Sequence, residues 1–227
     1  MTSEENPYQL LVFDWDGTLM DSVARIVACM QSTIETLGIA PLPEQRLRHV
    51  IGLGMQEAIL QLYPDADDDL LHAFTQAYRE RFLFNDDVPM PLFAGVPELL
   101  DDLRKQGYWC AVATGKSRMG LDRVLEETGL DIHFLTTRCA DETLSKPHPQ
   151  MLLDIMDELG VMPARTLMIG DSTHDLLMAR NAGTDALGVT SGVHSAQELL
   201  SLGPKGLVDG VAQLPKWLKC RCQGQSS

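Results

Sequence analysis

The stretch Leu10-Leu11-Val12-Phe13-Asp14-Trp15-Asp16-Gly17-Thr18 most constrains what this chain can fold into. Four apolar residues run into two aspartates separated by one residue. A continuous apolar run closed by a turn signal reads as a buried strand, and Gly17 supplies the turn. Because the chain turns here, both carboxylates are presented at the strand's carboxyl end, where open α/β sheets bind their ligands. Two close anions repel unless a cation sits nearby. Hard cations such as Mg²⁺ take oxygen ligands, commonly one or two carboxylates plus a substrate phosphate. Taken alone, the motif also fits an Asp-rich surface turn after a core strand.

The apolar spacing then changes. Val23, Ile26, Val27, Met30, Ile34 and Leu37 recur at three and four, which predicts an amphipathic helix over 21–37, ended by Gly38. A short helix is expected from about Glu44, another over 55–62 after Gly52 and Gly54, and a third over about 67–84 from Leu70, Phe74, Tyr78 and Phe82. From 96 onward helices and strands alternate. Helices are expected over 97–106, 118–127, 150–159, 173–181 and 196–202, with a closing helix over 211–218. Strands are expected over 108–113, 134–137, 166–169, 186–189 and 207–208. Repeated β–α units imply a doubly wound, Rossmann-like parallel sheet with helices on both faces.

A crossover between parallel strands needs only a dozen or so residues. The chain between the first two strands is far longer and helical. The expected organisation is therefore core at 1–19, an inserted α-helical bundle cap at 20–88, core again at 89–219, and a polar tail at 220–227. An insertion at the ligand end of the first strand is placed to act as a lid.

Composition narrows the partners. The 227 residues hold 18 Lys plus Arg against 32 Asp plus Glu, a formal charge of −14, which argues against nucleic acid and anionic membrane surfaces. A small phosphorylated metabolite stays compatible, because a metal and a few local cations dominate one pocket. No secretory signal is read in the polar first residues, and no apolar run approaches membrane-spanning length. The scattered cysteines, Cys29, Cys110, Cys139, Cys220 and Cys222, suggest no disulfide framework. The cytoplasm is the expected compartment, a monomer or weak homodimer the expected state, and Cys220 and Cys222 read as exposed thiols.

Three further polar clusters close strands or open helices. Thr114-Gly115-Lys116 follows a strand, where a hydroxyl and helix N-terminal N–H groups suit a phosphate oxygen; a plain helix cap is the alternative. Lys146 precedes Pro147-His148-Pro149, a rigid turn that presents a point charge. In Gly170-Asp171-Ser172-Thr173-His174-Asp175, two acids four residues apart face one point at a helix start. Acids with a metal and a lysine fit phosphoryl transfer. The chain carries neither a nucleotide P-loop nor a Gly-x-Ser-x-Gly elbow.

With these four motifs in order, the chain resembles the haloacid dehalogenase superfamily over about 10–215, and within it the phosphoglycolate phosphatase-like proteins with a small helical cap. The resemblance implies an Mg²⁺-dependent phosphatase acting on a small phosphomonoester through an aspartyl-phosphate. It implies Asp14 as nucleophile, Asp16 as general acid and then base, and Thr114, Gly115 and Lys146 as holders of the phosphoryl oxygens. It implies a metal held by Asp14, the backbone carbonyl of Asp16, and Asp171, with Asp175 close behind. Arg25, Arg48, Met55 and Gln56 are candidate cap contacts to substrate, by position. A dehalogenase has no use for an acid at position 16. A sugar-phosphate mutase requires a cap arginine near the cap glycines, and Gly52–Gln56 has none, although Arg46 and Arg48 lie just before. A pyrophosphatase on the same scaffold and a non-catalytic phospho-ligand-binding module are the remaining alternatives.

Overall fold

The computed structural model describes residues 7–84 and 88–223. Six parallel strands form one sheet: β1 (Leu10–Phe13), β2 (Trp109–Thr114), β3 (Thr136–Cys139), β4 (Thr166–Gly170), β5 (Asp185–Val189) and β6 (Gly206–Val208). Their order is β3-β2-β1-β4-β5-β6, so β1 is central and the winding reverses beside it. This is the open α/β arrangement whose ligand crevice lies at the reversal.

The strands read as apolar runs because both faces of the sheet are covered. Successive side chains alternate between faces. Leu11 and Phe13 join Val112, Ile169 and Val189 in one buried cluster, whereas Leu10 and Val12 join Ala111, Ala113 and Met168 in the other. The first face is covered by α5 (Val96–Lys105), α6 (Arg118–Thr128) and α10 (Leu214–Gln223). The second is covered by α7 (Gln150–Leu159), α8 (Thr173–Ala182) and α9 (Ala196–Leu200).

Between β1 and β2 lie α1 (Val23–Leu37), α2 (Glu44–His49), α3 (Met55–Leu62) and α4 (Asp68–Phe84), which share an apolar cluster separate from both sheet faces. The chain's path into and out of this bundle is zipped together. Asp21 donates its N–H to the Pro91 carbonyl at 2.8 Å, and Phe93 donates to Leu19 at 2.9 Å. The segment entering the bundle, Leu19–Ser22, is thus tied to the segment leaving it, of which residues 85–87 lie outside the described residues.

Two expectations shift. β3 begins at Thr136 rather than 134, because Asp131–His133 forms a 3-10 turn and Phe134 points edge-on toward Trp15, at 6.2 Å between centroids. The closing helix runs to Gln223, so residues 220–223 continue α10 instead of opening a tail. No helix-stopping residue occurs before Gly224. Cys220 is exposed, as expected; the Cys222 side chain lies outside the described residues.

Phe74 is almost fully enclosed in the bundle's own cluster. Phe74→Ala should cost about 3–5 kcal/mol. Hydrogen exchange should show the loss in α1–α4 and leave β1 and β4 protected, a pattern that uniform loss across the sheet would contradict.

Candidate active site

The register of the sheet assembles the site. Phe13 of β1 pairs with Val112 of β2 and Ile169 of β4. The next residues on each strand therefore emerge side by side, which brings Asp14, Thr114 and Asp171 to one end of the sheet. Asp14 donates its backbone N–H to the Ile169 carbonyl at 2.9 Å, and the chain then turns, with Leu19 and Met20 both donating to the Trp15 carbonyl.

Four buried charged groups converge there. Lys146 Nζ lies 2.9 Å from Asp14 Oδ1 and 2.6 Å from Asp175 Oδ1. Asp14 Oδ1 also accepts the Trp15 N–H at 2.7 Å, whereas Asp14 Oδ2 is buried without a hydrogen-bond partner. Asp171 accepts from the Thr18 hydroxyl and the Val193 N–H, each at 2.8 Å. Asp175 Oδ2 accepts from Ser172 through both its N–H and its hydroxyl, so this acid closes the capping box of α8 while it holds Lys146.

The charge does not balance: three carboxylates face one ammonium. Burial, then Asp175, pushes the Asp14 carboxyl well above its ordinary range, against the pull of Lys146. Burial and Asp175 also raise Asp171 to about 7, although Val193 and Thr18 oppose the shift. Burial works against the Lys146 charge, but Asp14 and Asp175 outweigh it and hold its pKa above the ordinary lysine value.

The donor set fits a hard divalent cation. Oxygens of Asp14, Asp171 and Asp175 lie within 4.8 Å of one another, and Asp14 Oδ2 is an orphaned buried acceptor. Asp175 is already committed to Lys146 and Ser172, which leaves Asp14 and Asp171 as the freer ligands. Glycines make room for these acids. A methyl at Gly17 or Gly192 would overlap the Asp171 carboxylate, and one at Gly170 would overlap Asp175.

Asp16 faces the other way. Its Oδ1 accepts from the Ser22 hydroxyl at 2.5 Å and lies 3.0 Å from Lys116 Nζ. It borders a cavity of about 510 Å³ between the helical bundle and the sheet, also walled by Tyr78, Phe82, Met55 and Gln56, with Gly115 and Lys116 on the sheet side. Thr114 is buried, and its hydroxyl accepts the Lys116 N–H at 3.2 Å.

Two position-based cap candidates lie elsewhere. Arg25 is buried within the bundle, donates to the carbonyls of Phe82 and Val88, and lies over the Phe82 ring at 5.3 Å. Arg48 lines a different cavity with Arg46 and His49; it pairs with Glu44 at 3.7 Å and reaches the Gly192 carbonyl at 3.5 Å. Helical spacing does not specify which face of α1 or α2 meets the sheet domain, so position alone makes both arginines available.

Sequence reasoning passed over several residues. Lys116 and Ser22 fix Asp16, and Thr18 fixes Asp171; Lys116 and Thr18 lie within the motifs and Ser22 just beyond the first, yet each gains its role only by contact. At the seam between bundle and sheet domain, Gly54 donates its N–H to Ser145 Oγ at 2.7 Å, and a methyl at Gly115 would come within 2.6 Å of the Gly52 and Leu53 carbonyls. Three histidines also meet there. His194 Nδ1 accepts the Thr173 N–H, so Nε2 carries the proton of the neutral ring and donates it to His49 Nδ1 at 2.8 Å. His174 Nε2 reaches the His49 carbonyl at 2.9 Å.

Comparison with known proteins agrees with this geometry. Residues 11–189 match the sequence model of the haloacid dehalogenase-like hydrolases. The chain belongs to that family. A probable phosphatase, IndB, of Dickeya dadantii is 37% identical over 90% of this chain and 91% of its own length. A phosphoglycolate phosphatase of Agrobacterium fabrum is 32% identical over 90% of each chain. A solved haloacid dehalogenase-like structure from Bacteroides fragilis superposes with a TM-score of 0.84 at 31% identity, covering 91% of this chain and 99% of its own.

Charge imbalance gives the metal-free site a pH signature. Asp171, and Asp14 in the same direction, bind protons more tightly when folded than unfolded. Between 3.8 and about 7 the native state therefore holds more protons, and stability falls as pH rises through that window. Chelator-treated protein should melt at a lower temperature at about pH 8 than at about pH 5.5, and Mg²⁺ should raise Tm more at the higher pH. Equal Mg²⁺ increments at both pH values would contradict the charge account.

Proposed function

We propose that this hydrolase is a phosphatase that cleaves a phosphomonoester through a phosphoaspartate on Asp14. The observation that carries the reading is the unpartnered, buried Asp14 Oδ2 beside Lys146, two residues before an acid, Asp16, that borders a cavity. Asp14 is the nucleophile: one of its carboxylate oxygens forms a bond to phosphorus while the ester oxygen leaves. Asp16 gives that oxygen its proton and later takes one from the water that hydrolyses the phosphoaspartate. Lys146 offsets the charge of nucleophile and phosphoryl group, and Thr114 with the backbone at Gly115 holds phosphoryl oxygens. Mg²⁺, held by Asp14, Asp171 and the Asp16 carbonyl with Asp175 in support, would supply charge neutralisation for two anions that otherwise repel.

The helical bundle, 20–88, acts in this reading as a lid over the site. Ser22 at its base and Lys116, which lies over Phe82 of α4 at 4.8 Å, both hold Asp16. The docked lid thereby sets the acid's position. A mutase is disfavoured because Arg46 and Arg48 border the other cavity, away from Asp16. A cytoplasmic setting and a monomeric or weakly dimeric state belong to the same proposal; among the described residues no helix is long and apolar enough to cross a membrane.

Asp14→Asn should abolish turnover without changing the fold, and Lys146→Met should lower kcat/KM for every ester by about a hundredfold or more. Asp16→Asn should separate the two half-reactions. With p-nitrophenyl phosphate, whose leaving group needs no proton, it should give a burst of one product per enzyme and then a slow phase. Near-normal steady turnover by Asp14→Asn, or burst-free wild-type kinetics in Asp16→Asn, would overturn these assignments.

A further inference from the structure

The cavity beside Asp16 is far larger than a two-carbon acid requires. Its volume, about 510 Å³, falls among sites that enclose drug-sized ligands, about 300–1,000 Å³. Its walls are mainly apolar. Ile26 and Met30 of α1 and Tyr78 and Phe82 of α4 form the bundle side, and Met119 and Leu144 form the sheet-domain side. Tyr78 and Phe82 stack at 5.6 Å between centroids with an interplanar angle of 23°, which makes one continuous aromatic surface. Met119 and Leu144 are about half exposed, so the sheet-domain wall offers accessible apolar surface.

Charge points the same way. The described lining carries three acids, Asp16, Glu57 and Asp141, against two cations, Lys116 and Arg79. Lys116 and Asp16 offset each other at 3.0 Å, which leaves Glu57 and Asp141 against Arg79. A substrate with a second anionic group, such as phosphoglycolate, would meet a surplus of negative charge and gain little from apolar walls.

We infer that the substrate is a phosphomonoester of a bulky, uncharged alcohol with an apolar or aromatic body, which lies against Tyr78 and Phe82 while its phosphate reaches Asp14. This inference rests on the phosphatase reading for the position of the phosphate. The body excludes water along the aromatic surface, and methionines at both walls adapt to its outline. Selectivity over small acidic esters then arises in KM, because the apolar contacts are made in the ground state and kept in the transition state.

Two measurements test it. First, kcat/KM with Mg²⁺ is compared for 1-naphthyl phosphate, a nucleoside monophosphate, a hexose phosphate and phosphoglycolate, in wild type, Phe82→Ala and Met119→Trp. Met119 is exposed, so its replacement narrows the cavity without loading the core. Naphthyl phosphate should exceed phosphoglycolate by tenfold or more, and that ratio should fall about tenfold in each variant, mainly through KM. Second, calorimetry with Asp14→Asn measures binding of the same esters without turnover, and should show the same order. A preference for phosphoglycolate in both measurements overturns the inference and leaves the phosphatase reading standing. Absence of turnover for every ester, with the binding preference intact, overturns the phosphatase reading and supports the binding inference.

Discussion

One ammonium buried among three carboxylates is the constraint on which the rest of the structure depends. Lys146 is enclosed between Asp14 and Asp175, and Asp171 stands beside them with its own donors. Isolated buried charges are strongly unfavourable, and a pair is tolerated only with good geometry and satisfied lone pairs. Here every oxygen but one is satisfied. The exception is Asp14 Oδ2, which is buried without a partner. The deficit of positive charge makes the cluster receptive to a divalent cation. Stability and function are thus in opposition at this point, as is common where pKa values are displaced.

The surroundings serve that cluster. Glycines at 17, 170 and 192 leave room for the acids, since a Cβ at any of them would strike a carboxylate. Ser172 gives Asp175 two hydrogen bonds and ties the orientation of Lys146 to the start of α8. The second acid, Asp16, is kept out of this crowd by Ser22 and Lys116 and faces the cavity instead. Two neighbouring aspartates thereby acquire different environments, the condition under which like residues can take up different chemical roles.

The helical bundle walls the cavity beside Asp16 and is fastened to the sheet domain. Gly54 and Ser145, the tight approach of Gly115 to the Gly52 and Leu53 carbonyls, and the three histidines all join bundle to sheet domain. Its aromatic surface walls the cavity, and Phe82 also lies under Lys116. Movement of the bundle would alter the cavity and the environment of Asp16 together.

Sequence alone carried the fold class and the chemical groups of the centre. β1, β2 and β4 are buried on both faces, so their apolar runs were legible, and glycines after α1, α6, α7 and α8 marked helix ends by their left-handed conformation. The motifs at Asp14, Thr114, Lys146 and Asp171 stood out because strand ends are short and their polar residues close in sequence. Tertiary structure decided what periodicity cannot express. Which face of α2 meets the sheet domain sent Arg48 to another cavity. A cation–aromatic contact and two carbonyls kept Arg25 inside the bundle. Lys116, Thr18 and Ser22 acquired partners only when the sheet and the bundle were folded together, because a hydrogen bond between distant residues depends on register and packing, not on local spacing.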